Sequence, residues 1–156
     1  VFVGSFVSIF FNFQMQGNYF DKLTTRLKKE YSDLENAFRD QFRAKEGTWE
    51  CFWRVVNQTR SAFFQLRIEN LREFPHEAPI VSIKVSENHS GLCHNKFIRV
   101  PFKQYLPSVS LLKVAQYLIK RLERVRFNPE IISLGIEINA LEVVLLSPRS
   151  LRQAEM

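Results

Sequence analysis

The stretch CFWRVVNQTRSAFFQLRIENLREFPHEAPIVSIKV, at residues 51–85, decides the fold of this chain. Its three apolar-rich runs are residues 51–56, 62–68 and 80–85. In the second run apolar and polar residues alternate, with Phe64 and Leu66 set against Gln65 and Arg67. This period of two, together with the β-branched and aromatic content, is typical of half-buried strands. The stretch therefore predicts an antiparallel meander.

The two breaks between the runs have different compositions. Residues 57–60, NQTR, are polar enough for a hairpin loop, so the first two strands are expected to pair antiparallel. The second break is FPHEAP, at residues 74–79, and it places two prolines four positions apart. Proline fixes φ and has no backbone N–H to donate. We therefore expect a rigid, extended connection before the third strand.

Helices are predicted on both sides of the meander. Residues 18–43 carry an apolar stripe at spacings of three and four, with Asn18 placed to cap the start and Gly47 to end the helix. The members of the stripe are Phe20, Leu23, Leu27, Tyr31, Leu34, Phe38 and Phe42. A second helix is predicted at residues 108–124, capped by Ser108 or Ser110. The predicted fold class is α+β.

Length and composition indicate one globular domain of 156 residues with a net charge of +6. Only two cysteines, Cys51 and Cys93, are present, which argues against a disulfide framework and favours a cytoplasmic or nuclear location. We expect Cys51 to be a small buried residue at the start of a strand. The basic run at residues 120–126 is explained by helix-terminal charge, so nucleic-acid binding is not expected.

The two ends of the chain differ from its middle. Residues 1–14 begin VFVGSFVSIFFNF, which is apolar and uncharged but shorter than the about 20 residues that span a bilayer. We expect an N-terminal extension there, a domain at 15–147 and a polar tail at 148–156. A strand on the sheet edge is the alternative for the opening segment, and a membrane anchor is not expected. Residues 131–146 fit either a strand or a helix.

Several motifs, taken in order, resemble the ubiquitin-conjugating (UBC-like) superfamily. FPHEAP, between strands, is similar to an aromatic-Pro-x-x-x-Pro element of that superfamily, and residues 26–34, RLKKEYSDL, resemble its first helix. Residues 104–114, QYLPSVSLLKV, resemble Trp-Ser-Pro-x-Leu-Thr-x-x-x-Val at the start of its crossover helix, with Tyr105 in the Trp place. The sequence FNPE at 127–130 stands where many members have an Asn-Pro loop. The resemblance implies a UBC-like α+β domain with a divergent C-terminal segment.

The same resemblance implies a protein without the family's chemistry. Active members use a Cys that accepts ubiquitin as a thioester and the Asn of a His-Pro-Asn motif that stabilises the oxyanion. Here His89-Ser90-Gly91 stands in the place of that motif. Counting back from Tyr105 by the family's usual spacing of about eight residues gives Phe97. The chain thus resembles the catalytically inactive variants (UEV proteins), and no catalytic residue is expected.

Alternatives to an inactive variant stay open. Cys93 lies four residues before Phe97, and His89, His94 and Lys96 could lower its pKa, so a divergent enzyme that uses Cys93 is the second interpretation. A scaffold of the RWD type, a related interaction domain with no ubiquitin contact, is the third. No cofactor is expected, and no metal either, because His89 and Cys93-His94 alone lack the repeated spacing of a zinc site.

The expected partners are proteins of the ubiquitin pathway. The resemblance implies ubiquitin, a conjugating enzyme, a ligase or a kinase as the partner. The candidate binding residues on the first helix are Arg26, Lys28 and Lys29, which we expect to be exposed, although a mixed-charge helix face can also be merely solvated. Phe102 and Tyr105 are the candidates near the loop that precedes the crossover helix.

Overall fold

The fold is α+β, with one helix before a five-stranded antiparallel sheet and a second helix after it. The structure, a computed structural model, describes residues 19–56, 61–87, 96–125 and 136–145. Within these residues the helices are α1 (Thr25–Phe38), α2 (Leu111–Val125) and α3 (Ala140–Leu145). The sheet follows chain order, β1 (Phe42–Lys45), β2 (Thr48–Val56), β3 (Ser61–Glu69), β4 (Ile80–Glu87) and β5 (Ile98–Val100). The predicted α+β class is confirmed.

The meander predicted at residues 51–85 is present as β2, β3 and β4. Cys51 lies opposite Leu66, and Leu66 lies opposite Ile83, so these three side chains share one face of the sheet. All three are fully buried. The predicted hairpin loop at 57–60 lies outside the described residues. The alternation at residues 62–68 predicted both the strand β3 and its buried face.

The sheet has a buried inner face and an opposite outer face. The inner face joins the helices in one hydrophobic core, where Tyr31 of α1 contacts Phe42 and Trp49 edge-on, with ring centroids 5.2 and 5.5 Å apart. The outer face consists of the side chains that alternate with the buried ones along β1–β5. Both long helices contribute to the inner core. On the outer face, strand register alone decides which side chains of β1–β5 are neighbours.

The first helix is shorter than the predicted 18–43. It begins at Thr25, because the Thr24 hydroxyl accepts a hydrogen bond of 3.2 Å from the Leu27 N–H and caps the helix. It ends at Phe38, where a 3-10 turn (Arg39–Gln41) follows. Residues 19–21 form a separate helical turn, and Asn18 lies outside the described residues.

Phe42, the last member of the predicted helical stripe, belongs to strand β1. Along β1 the buried Phe42 and Ala44 alternate with the exposed Arg43 and Lys45, and the strand pairs antiparallel with β2. Gly47 lies in the turn between these two strands at φ 82°, a conformation that glycine adopts without steric cost. The prediction that Gly47 ends the helix is therefore wrong, because hairpin pairing competes with the helix in this segment.

The FPHEAP segment is a folded turn and not the extended connection predicted. The Glu77 N–H donates a hydrogen bond of 2.9 Å to the Glu73 carbonyl, which closes the turn. The Phe74–Pro75 peptide is cis, and the Phe74 and Pro79 side chains are buried. The segment thus reverses the chain between β3 and β4 and brings the Phe74 ring into the core.

The second helix, α2, starts three residues later than the predicted 108–124. Of Ser108 and Ser110, it is Ser110 that caps the helix, since its hydroxyl accepts a hydrogen bond of 3.4 Å from the Lys113 N–H. Val114, Leu118 and Leu122 form its buried stripe. Before it lie two strands that the sequence did not predict, β5 and β6 (Phe102–Gln104), which are only three residues long.

The C-terminal segment contains both elements that its pattern allowed. β7 (Ile138–Asn139) pairs parallel with β6, and α3 follows it directly. The Asn139 side-chain oxygen accepts hydrogen bonds from the Leu141 and Glu142 N–H groups at 3.1 and 3.4 Å, which caps α3. The segments 1–14 and 148–156 lie outside the described residues.

The two faces of β3 provide a stability test. We expect Leu66→Ala to lower the free energy of unfolding by about 2–5 kcal/mol, because it leaves a cavity at a fully buried position. Phe63→Ala is the matched control on the same strand, since the Phe63 side chain is 44% exposed on the outer face. Its cost should stay below about 1 kcal/mol. Equal shifts of the urea midpoint would contradict the strand register.

Candidate functional site

Arg26, a candidate for partner binding, is engaged within the protein. Its Nε donates a hydrogen bond of 3.0 Å to the Glu30 carboxylate, and its Nη2 donates to the Pro107 and Val109 carbonyls at 3.1 and 3.0 Å. The guanidinium also lies over the Phe74 ring, 5.2 Å from its centroid. The Arg26 side chain therefore joins α1 to the proline turn and to the segment that leads into α2.

Glu30 is the buried partner in this arrangement. Only 3% of the residue is exposed, and its second carboxylate oxygen accepts a hydrogen bond of 2.9 Å from the Leu111 N–H. Leu111 is the first residue of α2, so the carboxylate lies at the N-terminal end of that helix, where a negative charge is favourable. Each oxygen of Glu30 thus has a donor, which is what a buried carboxylate requires.

The three basic candidates on α1 differ in exposure. Lys29 is exposed, as expected, whereas Arg26 and Lys28 are half-buried. The Lys28 ammonium lies 5.8 Å from the centroid of the Phe20 ring, so part of its surface is covered. The prediction that all three are exposed is wrong for Arg26 and Lys28, because internal contacts cover both side chains. Of the three, Lys29 presents its charge most openly.

Phe102 and Tyr105 lie together beside the proline turn. Their ring centroids are 5.4 Å apart in an edge-on contact, and both side chains are half-buried. The Tyr105 hydroxyl donates a hydrogen bond of 2.7 Å to the Pro75 carbonyl. Burial raises the pKa of Tyr105, a shift that the Arg26 charge opposes and the Glu30 charge adds to. The structure thus brings Tyr105 close to the Arg26–Glu30 pair.

Of the residues considered for catalysis, the structure describes only Phe97. The sequence His89-Ser90-Gly91 and Cys93 lie outside the described residues. The Phe97 ring is half-buried beneath the Arg67 guanidinium, which is 3.7 Å from the ring centroid, and the Lys84 ammonium is 5.8 Å from the same centroid. A phenyl ring has neither a thiol nor an N–H group, so it cannot act as a nucleophile or as an oxyanion donor.

Cys51 is a buried core residue, as expected, although it lies within β2 and not at its start. Burial raises the pKa of its thiol to about 12, and the neighbouring Glu50 charge contributes in the same direction. The thiolate is the reactive form of cysteine, so this thiol is inert near neutral pH. Within the described ranges, no three His, Cys, Asp or Glu side chains are grouped so that they could hold a metal ion.

A set of cation–aromatic pairs on the outer face was not anticipated from the sequence. Arg43 lies over the Phe52 ring and Arg54 over the Phe63 ring, each 5.3 Å from the ring centroid. Arg67 over Phe97 is the third pair. The sequence contains a sign of this set, because arginine and phenylalanine occupy alternate positions that point to the same face of β2 and β3. The pairing across strands depends on register, which the sequence pattern does not give.

A cleft of about 560 Å³ adjoins this set of pairs. It lies at the edge of β2, beyond Cys51, where the pairing with β1 has ended. Phe38 and Gln41, at the end of α1, form one side of the cleft, and side chains of β2 and β3 form the other. The lining includes the outer-face residues Phe52, Arg54 and Phe63. The cleft is therefore largely aromatic and opens beside a cation.

The buried carboxylate gives a second stability test. We expect Glu30→Gln to lower the free energy of unfolding by about 1–3 kcal/mol, because a side-chain amide cannot accept from both Arg26 and the Leu111 N–H. Asp33→Asn removes the same charge from the same helix at a half-buried position. Urea denaturation of the two variants makes the comparison. Equal losses would show that Glu30 contributes only its charge.

The Cys51 thiol gives a test of burial and pH. In a Cys93→Ser variant, we expect no reaction with a disulfide-exchange thiol reagent at pH 8 until the protein is unfolded. Since the folded pKa of about 12 exceeds the ordinary value of 9.0, the thiol stays protonated to a higher pH in the folded protein than in the unfolded chain. Its contribution to stability is therefore complete below about pH 9 and is lost as the pH rises towards 12. Rapid labelling of the native variant would contradict this burial.

Comparisons with known proteins leave the function to be inferred from the chain itself. No protein-family model, no curated protein and no solved structure matches this chain. No helix among the described residues is long and apolar enough to cross a membrane. Inference about function therefore rests on the side chains and contacts described above.

Proposed function

We propose that this chain is a non-catalytic, UBC-like adaptor that binds a protein of the ubiquitin pathway. The partner is ubiquitin, a conjugating enzyme, a ligase or a kinase. The observation that carries the proposal is Phe97, which stands where the sequence resemblance puts the nucleophile. Its phenyl ring offers neither a thiol nor a hydrogen-bond donor, and the Arg67 guanidinium lies over it.

The order of elements supports the UBC-like part of the proposal. A helix comes first, then antiparallel strands, then the FPHEAP turn between β3 and β4, and later the helix α2. The resembling motifs follow the same order along the chain, at residues 26–34, 74–79 and 104–114.

The contact between Tyr105 and Pro75 is a second support. These residues belong to two separate motifs of the resemblance, thirty positions apart, and the Tyr105 hydroxyl hydrogen-bonds directly to the Pro75 carbonyl. Arg26, from a third motif, stacks on Phe74 in the same turn. Three motifs that are separate along the chain therefore form one connected cluster. Such a cluster explains why these residue types occur together in this order.

The chemistry explains why an adaptor is preferred to an enzyme. Thioester transfer needs a thiolate and a donor that stabilises the oxyanion. The resemblance assigns these roles to Phe97 and Gly91, and neither side chain can perform them. Loss of one oxyanion donor lowers a rate by about 10²–10³, and loss of the sulfur removes the covalent route. What such a domain retains is the ability to bind proteins.

The surface available for a protein partner is smaller than the candidate residues suggest. The Arg26 guanidinium donates its hydrogen bonds to Glu30 and to two backbone carbonyls, so its role is to hold α1 against the neighbouring segments and not to contact a partner. Lys29 remains as an exposed cation on α1, and Phe102 with Tyr105 forms a half-exposed aromatic edge. We therefore assign the partner contact to Lys29 and to this aromatic edge.

An adduct assay tests the non-catalytic part of the proposal. After incubation with ubiquitin-activating enzyme, ATP and ubiquitin, we expect no protein band that a thiol reductant abolishes, and Cys93→Ser should behave like the parent. An active conjugating enzyme in a parallel reaction shows that the reagents work, and other ubiquitin-like modifiers are tested in the same way. A reductant-sensitive adduct that is lost in Cys93→Ser would identify Cys93 as a nucleophile.

The binding arm of the same experiment titrates the protein into isotope-labelled ubiquitin. Saturable chemical-shift changes support the UEV-like adaptor, and Lys29→Glu should weaken them, mainly by slowing association. Lys120→Glu is the matched control, because Lys120 is an exposed lysine on the other long helix. No shift at millimolar ubiquitin would exclude ubiquitin as the partner and favour the RWD-type scaffold.

A further inference from the structure

The outer face carries a strong excess of positive charge. Six cations lie on it, Arg43, Lys45, Arg54, Arg67, Lys84 and Arg99, against two carboxylates, Glu50 and Glu69. One of these carboxylates, that of Glu50, accepts a hydrogen bond from the Gln65 side chain. The six cations come from all five strands, so no basic run in the sequence marks them. The excess is complementary to a polyanion.

Strand register arranges these charges in rows. Arg43, Glu50, Arg67, Ser82 and Arg99 lie directly opposite one another across β1 to β5. Since neighbouring strands are about 4.8 Å apart, the three arginines of this row recur at intervals of roughly 10 Å. Regularly spaced guanidinium groups across a sheet can contact successive groups of an extended, repeating anion. An isolated acidic side chain would use only one of them.

Aromatic rings lie between the cations. Phe52 pairs with Gln65, and Phe63 lies two residues before Gln65, so the two phenylalanines are diagonal neighbours on adjacent strands. Diagonal neighbours are about 7–8 Å apart, which places both rings within one surface. Phe63 is 44% exposed although it is a large apolar side chain, and Phe52 is half-buried. Both also line the cleft at the edge of β2.

Contrary to the expectation drawn from the basic run at residues 120–126, we propose that the outer face binds single-stranded nucleic acid. Bases stack on the Phe52 and Phe63 rings and on the guanidinium planes above them, and phosphates pair with Arg54 and with the arginine row. Proteins that bind single strands combine aromatic platforms with positive grooves, and arginine planes also stack on unpaired bases. The cleft of about 560 Å³ beside Phe63 provides room for one flipped-out base.

The rings favour a nucleic acid over an acidic protein segment. A polyglutamate-like segment would satisfy the cations but would offer nothing to stack on Phe52 and Phe63. A double helix has its bases stacked internally and would contact only the charges. Within the ranges that the structure describes, both long helices pack on the inner face, so this surface is separate from the adaptor surface on α1. The inference therefore does not depend on the proposed function.

Fluorescence anisotropy with labelled twelve-nucleotide oligo(U) and oligo(dT) tests the proposal. We expect saturable binding that weakens with salt, with log K falling by about 0.7 per phosphate neutralised for each decade of salt. Phe63→Leu should weaken binding about tenfold, the size of one stacked base, while leaving the salt slope unchanged. Arg54→Ala should weaken binding and also reduce the slope by about 0.7.

The controls separate stacking from charge. Lys120→Ala removes an exposed cation from α2 and should leave affinity nearly unchanged, and thermal melting shows whether each variant is folded. Arg54→Ala keeps the test valid if Phe63→Leu proves unstable. Equal affinity for a duplex of the same length, equal competition by a polyglutamate peptide, or no binding at 50 mM salt would overturn the proposal. So would unchanged affinity in Phe63→Leu.

Discussion

The buried carboxylate of Glu30 is the constraint on which the arrangement of this domain depends. Removing a carboxylate from water costs several kcal/mol unless both oxygens find donors. Here the donors are Arg26 on the same helix and the Leu111 N–H at the start of α2, 81 residues away. Because Arg26 also contacts Phe74 and the Pro107 carbonyl, one charged pair fixes the two long helices and the proline turn relative to one another.

Among the described residues, the two long helices that this pair joins pack on the same face of the sheet. The Glu30 pair holds the starts of α1 and α2 together, and Leu27, Tyr31 and Leu34 of α1 enter the common core with the inner face. Apolar burial of this kind provides most of the stability of a small domain. The outer-face residues contribute little to that core, so their identity is less restricted by packing. A surface rich in arginine and phenylalanine there calls for an explanation other than folding.

The sequence predicted elements with strong local periodicity and missed those that depend on distant pairing. The alternation in β3, with an apolar run on either side of it, sufficed to predict the meander. The stripe that ends in Phe38 and Phe42 predicted too long a helix, because spacings of three and four persist beyond the helix end at Phe38 and into β1. An i, i+4 pair such as Arg26 and Glu30 suggests only a weak surface interaction. The burial of the Glu30 carboxylate depends on the hydrogen bond from the Leu111 N–H, and no local sequence pattern shows that Leu111 lies close to Glu30.

Phe97 bears on both of the functions that we have proposed. In the resemblance it replaces a nucleophile, and in the structure it forms the ring beneath Arg67 in the arginine row. A partly desolvated cation–π pair contributes about 1–2 kcal/mol, more than a typical exposed ion pair. A cysteine at this position would lose that contact and leave Arg67 without its covering ring. The residue that the resemblance puts in place of the nucleophile is therefore the one that completes the cation–aromatic set of the outer face.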